Sequence, residues 1–95
     1  MRALPENLKF HRRTPDFEHN SVPAGILGQH KISKDVWGKI MVSEGSLTYR
    51  ILEPTTEEHV IDTENFGVVA PQAAHQVEIN GPVKFHIEFY HKVAD

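Results

Sequence analysis

Apolar and polar residues alternate along much of the chain with the two-residue period of a β-strand. Over 46–53, Leu47, Tyr49 and Ile51 alternate with Thr48 and Arg50. Over 83–90, Val83, Phe85, Ile87 and Phe89 alternate with Lys84, His86 and Glu88. Such alternation gives each strand one buried face. Val, Ile, Phe and Tyr fill the runs, which is strand composition. Proline and glycine fall between them often enough to leave no window for a helix longer than about two turns. The pattern predicts strands near 8–12, 25–31, 37–43, 46–53, 58–63, 66–70, 74–79 and 83–91. Short antiparallel strands at this spacing imply an all-β fold, a small sandwich or barrel. Two turns are expected as hairpins: Ser43-Glu44-Gly45, with Gly45 free to take positive φ, and Asn80-Gly81. The predicted core includes Ile26, Ile40, Val42, Leu47, Tyr49, Ile51, Val77 and Ile79.

Length and charge narrow the function. Ninety-five residues make a single domain over 1–95. Ten Lys and Arg against 13 Asp and Glu give a net charge of −3, so no basic footprint points to nucleic acid. With no cysteine there is no disulfide, thiolate metal site or cysteine nucleophile. No apolar run has the length of a membrane span, and the first residues lack the apolar stretch of a signal peptide. A soluble, cytoplasmic protein is expected.

Seven histidines are the unusual feature. Alternation turns His75 inward with Val77 and Ile79, and His30 inward with Ile26, Gly28 and Ile32. A buried imidazole must satisfy both ring nitrogens, and a metal does so for one of them. Unrelated core histidines bonded to backbone would do equally well. His86 and Glu88 depend on register. A two-residue loop at Asn80-Gly81 sets His86 opposite His75 and brings Glu88 to the same face. A three-residue loop turns both away, and the apolar alternation of the last strand favours that parity. His11, His19, His59 and His91 fall at loops or edges and are expected to be solvated.

The segment Gly67-Val-Val-Ala-Pro71-Gln-Ala-Ala-His75-Gln-Val-Glu-Ile-Asn80 resembles the second cupin motif, with shorter gaps between its Gly, Pro and His. His30 to Gly45 resembles the first only loosely, without its His-x-His and Glu. A narrower resemblance covers nearly the whole chain: Thr14-Pro15, Pro23-Ala-Gly-Ile26, Gln29-His30, Trp37-Gly-Lys39, Gly45, Pro71-Gln-Ala-Ala-His75 and Glu88-Phe-Tyr90. In this ordered set the chain resembles the TehB/YeaR-like cupin family, which occurs as the N-terminal domain of TehB-type tellurite-resistance proteins and as short stand-alone proteins. The resemblance implies a cupin-like double-stranded β-sandwich or barrel of about seven to eight antiparallel strands, with a metal site between the sheets. In TehB-type proteins the domain precedes an S-adenosylmethionine-dependent methyltransferase. This sequence has no glycine-rich strand-to-helix turn, so methyltransferase activity does not carry over.

The expected site is a divalent metal ion (Zn, Ni, Fe or Mn) held by His30 and His75, with Glu88 as third ligand and His86 in reserve. The expected function is that of a small metal-binding protein that binds or senses a small-molecule ligand in a stress response. By resemblance, that ligand is an oxyanion such as tellurite. No nucleophile–base pair or phosphate loop accompanies these residues. The alternative is a metal-free interaction or oligomerisation module. A homodimer is the expected assembly, because a short sandwich leaves strand edges unpaired.

Overall fold

The computed structural model describes residues 1, 3–24, 34–53 and 55–93. Among the described residues there are seven strands: β1 (Leu8–Arg13), β2 (Phe17–Glu18), β3 (Val36–Ile51), β4 (Glu57–Asp62), β5 (Gly67–Val69), β6 (His75–Glu78) and β7 (Val83–Lys92). Every pairing is antiparallel. The all-β antiparallel fold that the alternation implies, a small sandwich or barrel, is therefore present. β2 was not expected from the sequence, and the strand expected over 25–31 lies outside the described residues. Among the described residues, no helix is long and apolar enough to cross a membrane.

β3 organises the molecule. Its first half, from Val36, pairs with β7 on one side and β5 on the other. Its second half, Ser46 to Ile51, pairs with β4 and β6. One strand thus belongs to two layers. β1, β2 and β7 extend the first layer, and β4 and β6 flank the second. Among the described residues the sheet is open, with β4 and β5 ending their layers without pairing to each other.

This corrects the expected hairpin at Ser43-Glu44-Gly45. The chain does not reverse there. The register against β7 slips between Val42 and Glu44, leaving Ser43 as an extra residue. The Ser43 hydroxyl donates to the Lys84 carbonyl at 3.2 Å. Gly45 does take positive φ, at 75°, but to bend a continuous strand. A bulge of this kind sharpens twist and redirects a strand. It also changes the parity of the buried face. Ile40 and Val42 are buried before it, and Leu47, Tyr49 and Ile51 after it.

The Asn80-Gly81 hairpin is corrected too. β6 pairs with the second half of β3, whereas β7 pairs with its first half, so residues 79–82 carry the chain from one layer to the other. Gly81 does not have the positive φ that a type I′ turn requires. Pro82 follows it, and a residue before proline is pushed towards extended backbone. Asn80 anchors the crossing by donating from Nδ2 to the Thr48 hydroxyl at 2.8 Å.

The core lies between the layers. Ile40, Val42, Leu47, Tyr49, Ile51 and Val77 are buried as expected, and Ile79 packs partly buried against them. Ile26 lies outside the described residues. Ile61, Val69, Val83, Phe85 and Ile87 complete the cluster. Phe17 of β2 closes one side, its ring edge-on to Phe85 at 5.7 Å.

Candidate functional site

His75 opens β6 on its inner face, beside Val77, and is only 3% exposed. Its Nδ1 lies 3.0 Å from the Ala73 carbonyl. A carbonyl only accepts, so Nδ1 carries a proton. The ring stands edge-on to Tyr49 at 6.0 Å. It borders an apolar void of about 20 Å³ between the layers, walled by Gly38, Ile40, Val69, Val77, Ile87 and Phe89. That space holds a water molecule and little more.

His86 and Glu88 lie on the other side of the sheet. On β7 they alternate with Phe85 and Ile87, which fill the core, so both project outward. Neither hairpin register left open by the sequence forms, because β6 and β7 each pair with β3; apolar burial turns the two residues outward. The outward pair belongs to a polar network. His86 Nε2 is 2.9 Å from Glu88 Oε2, and Tyr90 donates its hydroxyl to Glu88 Oε1 at 2.5 Å. His86 Nδ1 is 3.7 Å from Asp16 Oδ1, which accepts from Arg13 Nη2 at 2.6 Å. The expected set of four is therefore not assembled: His75 faces inward, His86 and Glu88 face outward, and His30 lies outside the described residues. Among the described residues, no group of three or more His, Cys, Asp or Glu side chains is placed to hold a metal ion.

The network shifts its acid groups. Burial pushes the Glu88 carboxyl up, but the hydrogen bonds from His86 and Tyr90 outweigh it and hold the group below its usual range. The bond to Glu88, and then burial, push the Tyr90 phenol up to about 12. Burial, and then the charge of Glu57, raise Tyr49 further still. Raised phenol pKa values favour the fold below pH ~10, and that stability is lost as pH rises through about 12. The chain has only two tyrosines, so the effect is directly visible. After a rapid jump to pH ~11, folded protein should show little tyrosinate absorbance, whereas the unfolded chain should be about 90% ionised. Full ionisation before unfolding would contradict both environments.

A larger cavity, about 290 Å³, opens where β4 and β5 leave the layers unjoined. Tyr49 and Ile51 of β3 form one wall, and Val68, Ala70 and Pro71 the other. Glu53, Glu57, Gln72 and Ala73 complete the lining. The Tyr49 hydroxyl donates to the Val68 carbonyl at 2.9 Å and ties the walls together. Met1 spans the gap. Its ammonium donates to Glu57 Oε1 at 2.7 Å, and its sulfur accepts from the Val68 N–H at 3.2 Å. His59 Nε2 lies 3.0 Å from the same Glu57 oxygen. Hydrogen bonds from the ammonium and then His59 hold the Glu57 carboxyl below its usual range.

The pocket rim carries backbone strain. Ala73 N–H donates to the Ala70 carbonyl at 3.4 Å, closing a turn with Pro71 second and Gln72 third. Gln72 has φ of 60°, the left-handed position that a type II turn usually gives to glycine. Gln72→Gly is expected to stabilise the fold by about 0.5–1 kcal/mol in denaturant unfolding. A loss of stability would show that the Gln72 side chain supports the turn.

The model of the TehB-like domain matches residues 12–87, most of the chain. The chain belongs to the TehB-like domain family. The match ends at Ile87, one residue before Glu88. Two solved structures share the fold. A protein from Escherichia coli strain K12, determined as a structural-genomics target, superposes with a TM-score of 0.84 at 23% identity, covering 99% of this chain and 100% of that one. TehB from Haemophilus influenzae gives 0.81 at 25% identity, covering 92% of this chain and 32% of that one. This TehB-like domain thus spans about a third of that TehB chain. No curated protein sequence matches the chain.

Within this TehB-like domain, sequence reading found His75 but missed the pocket. Glu57 falls just before the strand expected over 58–63, and Pro71-Gln72 enters only within the segment that resembles the second cupin motif. The inward parity of Tyr49 and Ile51 was the one local sign of a wall. Nothing in the sequence brings Glu57 and Val68 to either side of one gap.

Proposed function

We propose that this TehB-like domain binds a small organic molecule in the pocket between β4 and β5. Volume carries the reading. About 290 Å³ is close to the lower end of small-molecule sites, whereas the 20 Å³ beside His75 admits no ligand larger than water. The wall is mostly apolar, with a few polar groups at the rim, as ligand sites generally are. Tellurite is the ligand that the family resemblance suggests. The charged residues of this lining are both carboxylates, Glu53 and Glu57, so a neutral or cationic molecule suits it better than an oxyanion.

Amide-resolved NMR titration tests the proposal with four probes: L-methioninamide, N-acetyl-L-methioninamide, N-acetyl-L-methionine and tellurite. Saturable shifts are expected at Val68, Gln72 and Ala73 with at least one of the organic probes. The absence of saturable shifts there with every probe would contradict it.

Self-association is the second reading, and a separate observation favours it. β4 ends the strand order, and Val60 in this edge strand is 64% exposed. Sedimentation showing a dimer that Val60→Lys dissociates would support edge pairing. A monomer at tens of micromolar would exclude it.

A further inference from the structure

The charge of the ligand follows from the same pocket, and this step rests on the reading just given. Glu57 stands at the start of β4, half-buried, on the pocket wall. The Met1 ammonium and His59 both contact Oε1, and Oε2 takes neither bond. Met1 bonds to two residues of the lining, with its ammonium against the β4 carboxylate and its thioether against the β5 backbone. Among the described residues, no Lys, Arg or His lines the cavity. Tyr49 adds an aromatic ring, a further group that attracts cations. An anion entering this lining meets like charge, whereas an ammonium gains a charge-assisted hydrogen bond in a partly desolvated place. We infer that the pocket between β4 and β5 binds a small organic ammonium ion, with Glu57 as its counter-ion and Tyr49, Ile51 and Val68 as the walls for its apolar arm.

Calorimetric titration of the folded chain tests the inference. L-methioninamide carries the ammonium and the thioether, N-acetyl-L-methioninamide lacks the charge, and N-acetyl-L-methionine reverses it. The cation is expected to bind at least about tenfold more tightly than the neutral probe, with the anion weakest. Glu57→Gln should bring cation and neutral probe to within about twofold. Acetylating the protein's own amino terminus removes the competing Met1 ammonium and should tighten the cation several-fold. The tetrapeptide amide Met-Arg-Ala-Leu separates the two sources of such an ammonium. Tighter binding than methioninamide assigns the site to a polypeptide terminus, and equal or weaker binding to a free amine. A neutral probe that binds as tightly as the cation, or a Glu57→Gln protein with unchanged preference, overturns the inference. If the neutral probe shifts the pocket amides while the cation does not, the pocket stands and the ammonium falls. If no probe shifts them, the pocket reading itself has failed.

Discussion

Gly45→Ala is expected to destabilise the domain by on the order of 2–4 kcal/mol, far more than a surface glycine ordinarily would. Two effects add. The backbone sits at φ of 75°, where alanine is strained by roughly 1–2 kcal/mol. A methyl at this position would also overlap the Pro82 carbonyl oxygen and reach Val83 Cα at 3.1 Å. Those are backbone atoms, so relief means separating β3 from β7 at the bend. A domain of this size loses roughly 4–8 °C of melting temperature per kcal/mol, so the drop should be about 10–30 °C. Gly81→Ala is the control. It lacks positive φ, and an added methyl meets nothing within 4 Å. Thermal unfolding should leave Gly81→Ala within about 0.5 kcal/mol of the parent. Had Asn80-Gly81 been a type I′ hairpin, Gly81→Ala would also be strained. Equal losses at the two glycines would contradict the bend at Gly45.

Phe85→Ala should be at least as damaging, about 3–5 kcal/mol. Phe85 is fully buried, one of the largest such side chains, and stacks edge-on with Phe17. Its loss removes the burial and leaves a cavity at the meeting of β2, β3 and β7, paired there through Phe17 and Val42. Phe85→Leu keeps most of the volume and should cost about 1–1.5 kcal/mol. Phe10→Ala removes a ring of the same type that is 52% exposed and packs edge-on to Tyr90, so it should cost less than about 1 kcal/mol. Denaturant midpoints in the order Phe85→Ala, Phe85→Leu, Phe10→Ala, lowest first, are the expected result. A Phe85→Ala midpoint near the parent would contradict the core assignment.

Local pattern carried much of the fold and less of the site. Alternation located β4, β6, β7 and both halves of β3, because each has one wet and one dry face. It could not show that 37–43 and 46–53 are one strand. Buried parity changes from even to odd across Ser43, and a turn or a bulge can produce that change equally. The need for positive φ at Gly45 was legible, but its partner, the Pro82 carbonyl, is distant in sequence. β2 escaped because two residues carry no period. For His86 and Glu88, the apolar run Val83, Phe85, Ile87 held the right answer, and the Asn80-Gly81 turn signal argued against it. The pocket was invisible for a physical reason. It is a gap between two edge strands, and its polar residues come from segments that make sense only once the layers are stacked.

The most direct test asks where a bound probe sits. With whichever methionine derivative saturates the protein, nuclear Overhauser contacts from the probe to side-chain methyl groups should be measured. The account predicts contacts to Ile51 and Val68, which wall the pocket between β4 and β5. Contacts instead to Val77 and Ile87, which border the void at His75, would place the ligand in the core and contradict it.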